Sequence, residues 1–189
     1  MPTIRILAVT GSLRRGSYTT LLVRASAELA PAGVTVDVMD LHGIPLFDED
    51  LAATQGMPVA VRALYEAMAA ADAVFFATPE YNHSLPGVLK NALDWISRAG
   101  VSPLRHKPVA VTGASAGLTG TLRAQMALRQ VLQWFEAATL AKPEVLVGSV
   151  KAKFDTEGRL TDEPTRKHLA QLIAALADAA AARKVLATA

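Results

Sequence analysis

The stretch Val9–Thr20, VTGSLRRGSYTT, follows an apolar run and concentrates hydroxyls, guanidinium groups and glycines. Ser12, Ser17, Thr19 and Thr20 can each donate a hydroxyl hydrogen bond, and Arg14 offers a forked, charged donor. Gly11 and Gly16 permit tight backbone turns. A helix starting here adds its free N–H groups to the same spot. Such a ring of donors suits a small anion, a phosphate group above all. The Gly-Lys-Ser/Thr ending of a triphosphate-binding loop is missing, which argues against a nucleoside triphosphate. The plainer alternative is a helix cap flanked by solvated arginines.

Two further stretches carry recognisable chemistry. In TPEYNHSLPGVLKNALDW, residues 78–95, Pro79 stops an apolar run, and Glu80, Tyr81 and Asn82 form a polar, partly aromatic turn before Pro86. Such a turn can hold a flat, hydrogen-bonding ring through backbone and amide contacts, with Tyr81 alongside. In VTGASAGLTGTLRAQ, Gly113, Gly117 and Gly120 imitate a dinucleotide fingerprint, but their spacing is G-x-x-x-G-x-x-G. The fingerprint needs G-x-G-x-x-G after the first strand, so a Rossmann site is rejected here. The better reading is a small-residue loop whose backbone approaches a planar ligand closely.

These stretches need a scaffold that brings them together. Short apolar runs at Ile4–Val9, Val34–Met39, Ala73–Thr78 and Val109–Thr112 read as strands, with Pro143–Val147 as a fifth. AVFFAT and VAVT are apolar at nearly every position, as parallel strands covered on both faces must be. VTVDVMD alternates and belongs at an edge. Helical patterns span Thr19–Ala30, Pro58–Ala70, Pro86–Arg98, Gly120–Ala137 and Pro164–Leu186, with Pro86 at a first helical position. The β-α-β-α order predicts one α/β domain over residues 1–189, of flavodoxin-like type. Its five-stranded parallel sheet takes the order 2-1-3-4-5 with helices on both faces. Ligands of such sheets sit beyond the carboxyl ends of the strands where strand order reverses, which is where the three stretches lie.

Composition narrows the class. Hydrophobic residues make up 51% and charged residues 19% of 189, the balance of a globular chain. A net charge of +2 carries no nucleic-acid or anionic-membrane footprint. The first apolar run is too short for a leader or a span. Cysteine is absent, which removes disulfides and thiolate chemistry and fits a reducing cytoplasm. No pair of histidines has metal-ligand spacing, so no metal is expected. His42, His106 and His168 read as inert. His83, next to the polar turn, is placed to touch a substrate or a neighbouring subunit. Asp48, Glu49 and Asp50 read as solvated charge. Trp95 with Val88, Leu89, Ala92 and Ile96 reads as a packed helix face.

With these residues in view, the sequence resembles the NAD(P)H-dependent FMN reductase family, in particular its quinone and chromate reductase branch. The matching residues are GSLRRGS at 11–17, TPEYNHSLPGVLKNALDW at 78–95, and the small-residue loop followed by LRAQMALRQ at 122–130. The resemblance covers roughly the first two thirds of the chain. It implies FMN as cofactor, its phosphate held by Ser12, Arg14, Ser17 and the residues just after, with Leu13, Tyr18 and Thr19 in the same segment. Thr19 stands where the family commonly has Asn. Pro79, Glu80, Tyr81 and Asn82 would line the flavin ring, and Ala114, Ser115 and Gly117 would close its other edge. Ala114 replaces a common serine.

The resemblance further implies that NADPH or NADH delivers hydride and that a small-molecule acceptor (quinone, free flavin, azo compound or chromate) then takes it by a ping-pong mechanism. FMN would carry the chemistry, so no catalytic acid or base is demanded; Asn82 and His83 are candidates to assist, and Glu80 is a conceivable proton donor. A homodimer or homotetramer is implied, with interfaces on the helices after PEYN and after Gly120. The competing readings are a flavodoxin-type electron carrier or an FMN-binding sensor. The net +2 speaks against a carrier that docks basic partners.

Overall fold

The computed structural model describes residues 3–188. Strand β1, Ile4–Thr10, is buried on both faces because its side chains serve two cores. Ile4, Ile6 and Ala8 join one apolar cluster, Leu7 and Val9 the other. Strands β2 (Val34–Met39) and β3 (Ala73–Ala77) pair with β1 in parallel on opposite sides. Strand β4, Pro108–Ala114, lies beyond β3. The resulting order is 2-1-3-4-5, with the alternating strand β2 at one edge, as the sequence predicts.

Helices cover both faces. Helix α1 (Tyr18–Glu28) packs with the long C-terminal helix α6 (Glu163–Thr188) against one cluster, which contains Leu22, Phe75, Leu169 and Ile173. A short α2 (Glu49–Gln55) precedes the second group, α3 (Val59–Ala70), α4 (Gly87–Ile96) and α5 (Leu122–Trp134). These three bury Leu64, Met68, Leu89, Trp95 and Leu128 against the opposite face. Trp95 is a core residue whose indole N–H donates to the Pro45 carbonyl at 2.9 Å. Asn91 donates to the same carbonyl at 2.8 Å and accepts the Phe47 N–H at 2.7 Å, which pins the loop after β2 to α4.

The fold departs from expectation in local ways. The fifth strand is split into β5 (Ala138–Thr139), paired with Pro108–Val109, and β6 (Val145–Val147), paired with Thr112–Ala114. Pro143 lies between them and has no N–H to offer the ladder. Pro86 is the cap of α4, not its first helical residue, because its ψ of 145° is extended. Helix α5 starts after Gly120 and Thr121, since both adopt left-handed φ values, 55° and 67°. The acidic turn at Asp48 is a helix start: Asp48 Oδ1 accepts the N–H groups of Asp50 and Leu51.

Asp162 caps α6 by accepting the Thr165 N–H at 3.0 Å, and it pairs with Lys153 Nζ at 2.8 Å. The Lys153 ammonium, then the Thr165 hydroxyl, hold its carboxyl down at about 2. A depressed carboxyl contributes stability above its unfolded value, and loses that contribution as pH falls from about 4 towards 2. Asp162→Ala is therefore expected to lower stability at pH 7 by about 1–2 kcal/mol. Urea unfolding at pH 7, 4 and 3 should show the deficit narrowing as pH falls.

Candidate functional site

A cleft of about 470 Å³ opens at the carboxyl ends of β1, β3 and β4, within the range of small-ligand sites. Its floor is the segment between β1 and α1. Here the Arg14 N–H donates to Ser12 Oγ at 3.3 Å and the Ser17 N–H to the Arg14 carbonyl at 3.1 Å, so the loop turns back on itself. Arg14 folds over the loop, its Nη1 lying 3.3 Å from where a Cβ on residue 16 would stand. Ser12, Ser17 and Thr19 are buried at the cleft, while Arg14 stays exposed.

Ser17, at the cap of α1, makes no side-chain bond to the first turn, and no acidic residue lies in that turn. The partial positive charge of this helix end thus faces the cleft uncompensated. Tyr18 lines the cleft with its ring 5.6 Å from that of Phe154, tilted by 47°. Leu13 turns away and packs against the α3–α5 core.

The loop after β3 forms the second wall. Gly11 lets the first loop press against it: the Gly11 N–H donates to the Ala77 carbonyl at 2.8 Å, and a Cβ there would lie 3.4 Å from Pro79 Cδ. Pro79, Glu80 and Tyr81 line the cleft, and Tyr81 is 49% exposed. Asn82 and His83, both exposed and at φ 50° and 66°, sit outside the lining. They are the central pair of a tight turn, in which Tyr81 and Ser84 exchange N–H···O bonds of 3.0 Å. The carboxylate of Glu80 is taken up elsewhere: Oε2 accepts the N–H groups of Arg123 at 3.0 Å and Ala124 at 3.3 Å. Proton donation by Glu80 to an acceptor therefore has no geometric support.

The third wall runs from Ala114 through Ser115 to Ala116. The glycines of this loop mostly serve the protein itself. A Cβ on Gly113 would lie 2.1 Å from both Thr121 Oγ1 and the Thr78 carbonyl oxygen; one on Gly120 would lie 2.5 Å from the Leu146 backbone. Gly117 is exposed and does not line the cleft; its carbonyl accepts the Ser149 N–H at 3.0 Å. That bond ties the loop to the single-turn helix Val150–Ala152, whose Lys151 reaches the cleft.

Of the residues expected at the site, the fold gathers Ser12, Arg14, Ser17, Tyr18, Thr19, Pro79, Glu80, Tyr81, Ala114 and Ser115. Ala116 and Lys151 were not foreseen. Lys151 follows the carboxyl end of the last strand, and the rule that drew attention to the other strand ends applies there equally. Among the described residues no cluster of metal-ligating side chains occurs and no helix is long and apolar enough to cross a membrane.

The sequence from residue 4 to residue 152 matches the family model for NADPH-dependent FMN reductases. The chain belongs to this family. Membership makes it an FMN-using, NAD(P)H-dependent oxidoreductase. Among its relatives is an NAD(P)H-dependent FMN reductase of Pseudomonas aeruginosa, 47% identical over 173 residues, covering 92% of this chain and 93% of the relative. A quinone reductase of Escherichia coli is 40% identical over 168 residues, covering 88% and 89%. A solved flavoenzyme from Paracoccus denitrificans, an NAD(P)H:(acceptor) oxidoreductase, superposes with a TM-score of 0.85 at 31% identity, over 94% of this chain and 97% of that one.

The two glycine roles in the third loop separate in one experiment. Gly113→Ala is expected to cost about 3 kcal/mol or more, since the colliding atoms belong to backbone and a buried side chain. Gly117→Ala meets only Ser115 Oγ at 3.8 Å and should change stability little. Denaturant midpoints of the two variants check this.

Proposed function

We propose that the cleft holds FMN and that the chain reduces quinone-type acceptors with NADPH or NADH at one shared mouth. One observation carries the reading: the bare first turn of α1 points into a ring of small hydroxyls beside Arg14. The cofactor's phosphate needs such a set of donors. Lys151 adds a second cation, and the carboxylate of Glu80 is already engaged, so the cleft favours an anion.

Bound there, FMN supplies the two-electron redox chemistry. Ser12, Ser17 and Thr19 would donate hydroxyl hydrogen bonds to the phosphate, and Arg14 would add a charged one. The segments Pro79–Tyr81 and Ala114–Ala116 would hold the ring. A methyl group at Ala114 suffices if the contact is through main-chain N–H. Tyr81, half exposed at the mouth, borders the space where nicotinamide and acceptor bind in turn. Alternation at one mouth is the structural basis for ping-pong kinetics. A relative from Burkholderia, 41% identical, is a 2-hydroxy-1,4-benzoquinone reductase, which supports a quinone as acceptor.

The electron-carrier reading is less well supported. Carriers commonly stack aromatic rings on the flavin, whereas both tryptophans lie away from the cleft lining, Trp95 in the core and Trp134 on the outer face of α5. Self-association is assigned to α4 and α5, where Met126 and Trp134 are exposed.

Purified protein supplied with FMN is expected to oxidise NADPH in the presence of a benzoquinone, with parallel double-reciprocal plots. FMN binding without turnover would favour the carrier, and no FMN binding would remove the cleft assignment. Arg14→Ala should weaken FMN by about 1.5–3 kcal/mol, the worth of a charged hydrogen bond, in calorimetry.

A further inference from the structure

The loop after β3 lines the cleft, and one carboxylate joins it to the amino end of α5, 43 positions away. Glu80, in the wall after β3, is only 12% exposed and spans to the first turn of α5. Its Oε2 accepts both the Arg123 N–H and the Ala124 N–H, and its Oε1 lies 3.5 Å from Arg123 Nη1. Helix α5 provides no cap of its own. Thr121, at the cap position, is left-handed with a φ of 67°, and its hydroxyl caps no backbone N–H of the turn but accepts from the Gln125 side chain at 3.2 Å. No acidic residue of α5 lies in that turn. A residue 43 positions away thus does the capping.

The segments around them also meet where the missing Cβ of Gly113 admits Thr121 Oγ1 and the Thr78 carbonyl, and where the Thr78 N–H donates to the Thr112 carbonyl at 2.9 Å. Those contacts hold the strand ends, whereas the Glu80 bonds hold the loop itself, beside Pro79 and Tyr81. Pro79 in turn abuts Gly11 of the phosphate-side loop. The dipeptide Pro79-Glu80 therefore contacts both the loop after β1 and the amino end of α5.

We infer that Glu80 is a positioning residue: its carboxylate, by holding the loop after β3 to the amino end of α5, fixes where Pro79 and Tyr81 stand in the cleft that receives the flavin ring. The inference rests on the assignment of FMN to this cleft. It differs from a plain capping role in a testable way. A cap stabilises α5 whether or not it comes from the loop after β3, but only a residue of that loop can tie the two together. Leu122, the first residue of α5, is 37% exposed and can carry a carboxylate that compensates the helix end without holding that loop.

The test compares wild type, Glu80→Ala, Glu80→Gln and the double variant Glu80→Ala/Leu122→Glu. Each is measured for apoprotein melting temperature, FMN dissociation constant by fluorescence quenching, and visible circular dichroism of the bound flavin. Glu80→Ala should lower the melting temperature, raise the dissociation constant at least tenfold and weaken the flavin dichroism. Glu80→Gln keeps an acceptor oxygen and should stay within about threefold of wild type. The double variant should regain melting temperature but not FMN affinity or dichroism. It keeps the comparison readable even if Glu80→Ala alone does not fold. Recovery of affinity together with stability in the double variant, or wild-type affinity and dichroism in Glu80→Ala, would overturn the inference. Failure of the wild type itself to bind FMN would instead remove the cofactor assignment on which it stands.

Discussion

The reversal of strand order beside β1 is the constraint on which the site depends. From β1 the chain runs through α1 on one face to reach β2, then crosses back over the other face through α3 to lay β3 on the far side of β1. Each crossover between parallel strands turns right-handed, so reversing the direction of travel sends consecutive helices to opposite faces. The loops leaving the carboxyl ends of β1 and β3 must therefore diverge. The space between them cannot be closed by either, and the cleft occupies it.

What the protein adds to that gap is mostly main chain. Gly11 and Gly113 remove side-chain atoms where strands and loops must almost touch, which draws three separate loops into one rim. Such a rim brings N–H and C=O groups close to whatever lies in it, beside the side chains of Tyr18, Tyr81 and Lys151. A flat ring with polar edges is well matched to walls of this kind, and the match tolerates change in side chains. Side chains do their part at the β1–α1 end, where hydroxyls and a guanidinium meet a helix terminus left bare.

The parts legible in the sequence share a physical property: they are encoded locally. Unbroken apolar runs identified the buried strands, and alternation placed Val34–Met39 at an edge, because burial on one or two faces imposes those patterns directly. The Gly-Ser-Arg segment and the PEYN turn announced themselves by composition, and the cleft gathers most of both. What escaped depends on distant partners. Nothing near Glu80 shows that its carboxylate is claimed by α5, nor anything near Gly120 that it presses on β6. The split of the fifth strand was missed because each half is too short to register as a pattern, two and three residues, and their pairing exists only once β4 is in place. By type, Asn82 suits a contact to the ring and His83 a contact to substrate or a neighbouring subunit. Their left-handed backbone makes them turn formers, a role that asparagine fills more readily than most residues.

The fold alone would serve a carrier as well as an enzyme, so the distinction must come from what borders the mouth. Here the aromatic content is low: of the two tyrosines that line the cleft, Tyr18 leans on Phe154 and Tyr81 stands half exposed, while Trp95 is locked by Pro45 and Phe47 in the core. A cleft so bordered has a mouth that small planar molecules can reach. The groups around it are cationic or already paired, which draws in anionic nicotinamide nucleotides and leaves neutral acceptors unhindered. An electron carrier needs neither property, since its partner protein meets the flavin only at an edge. A reductase that must admit two different small molecules by one route needs both.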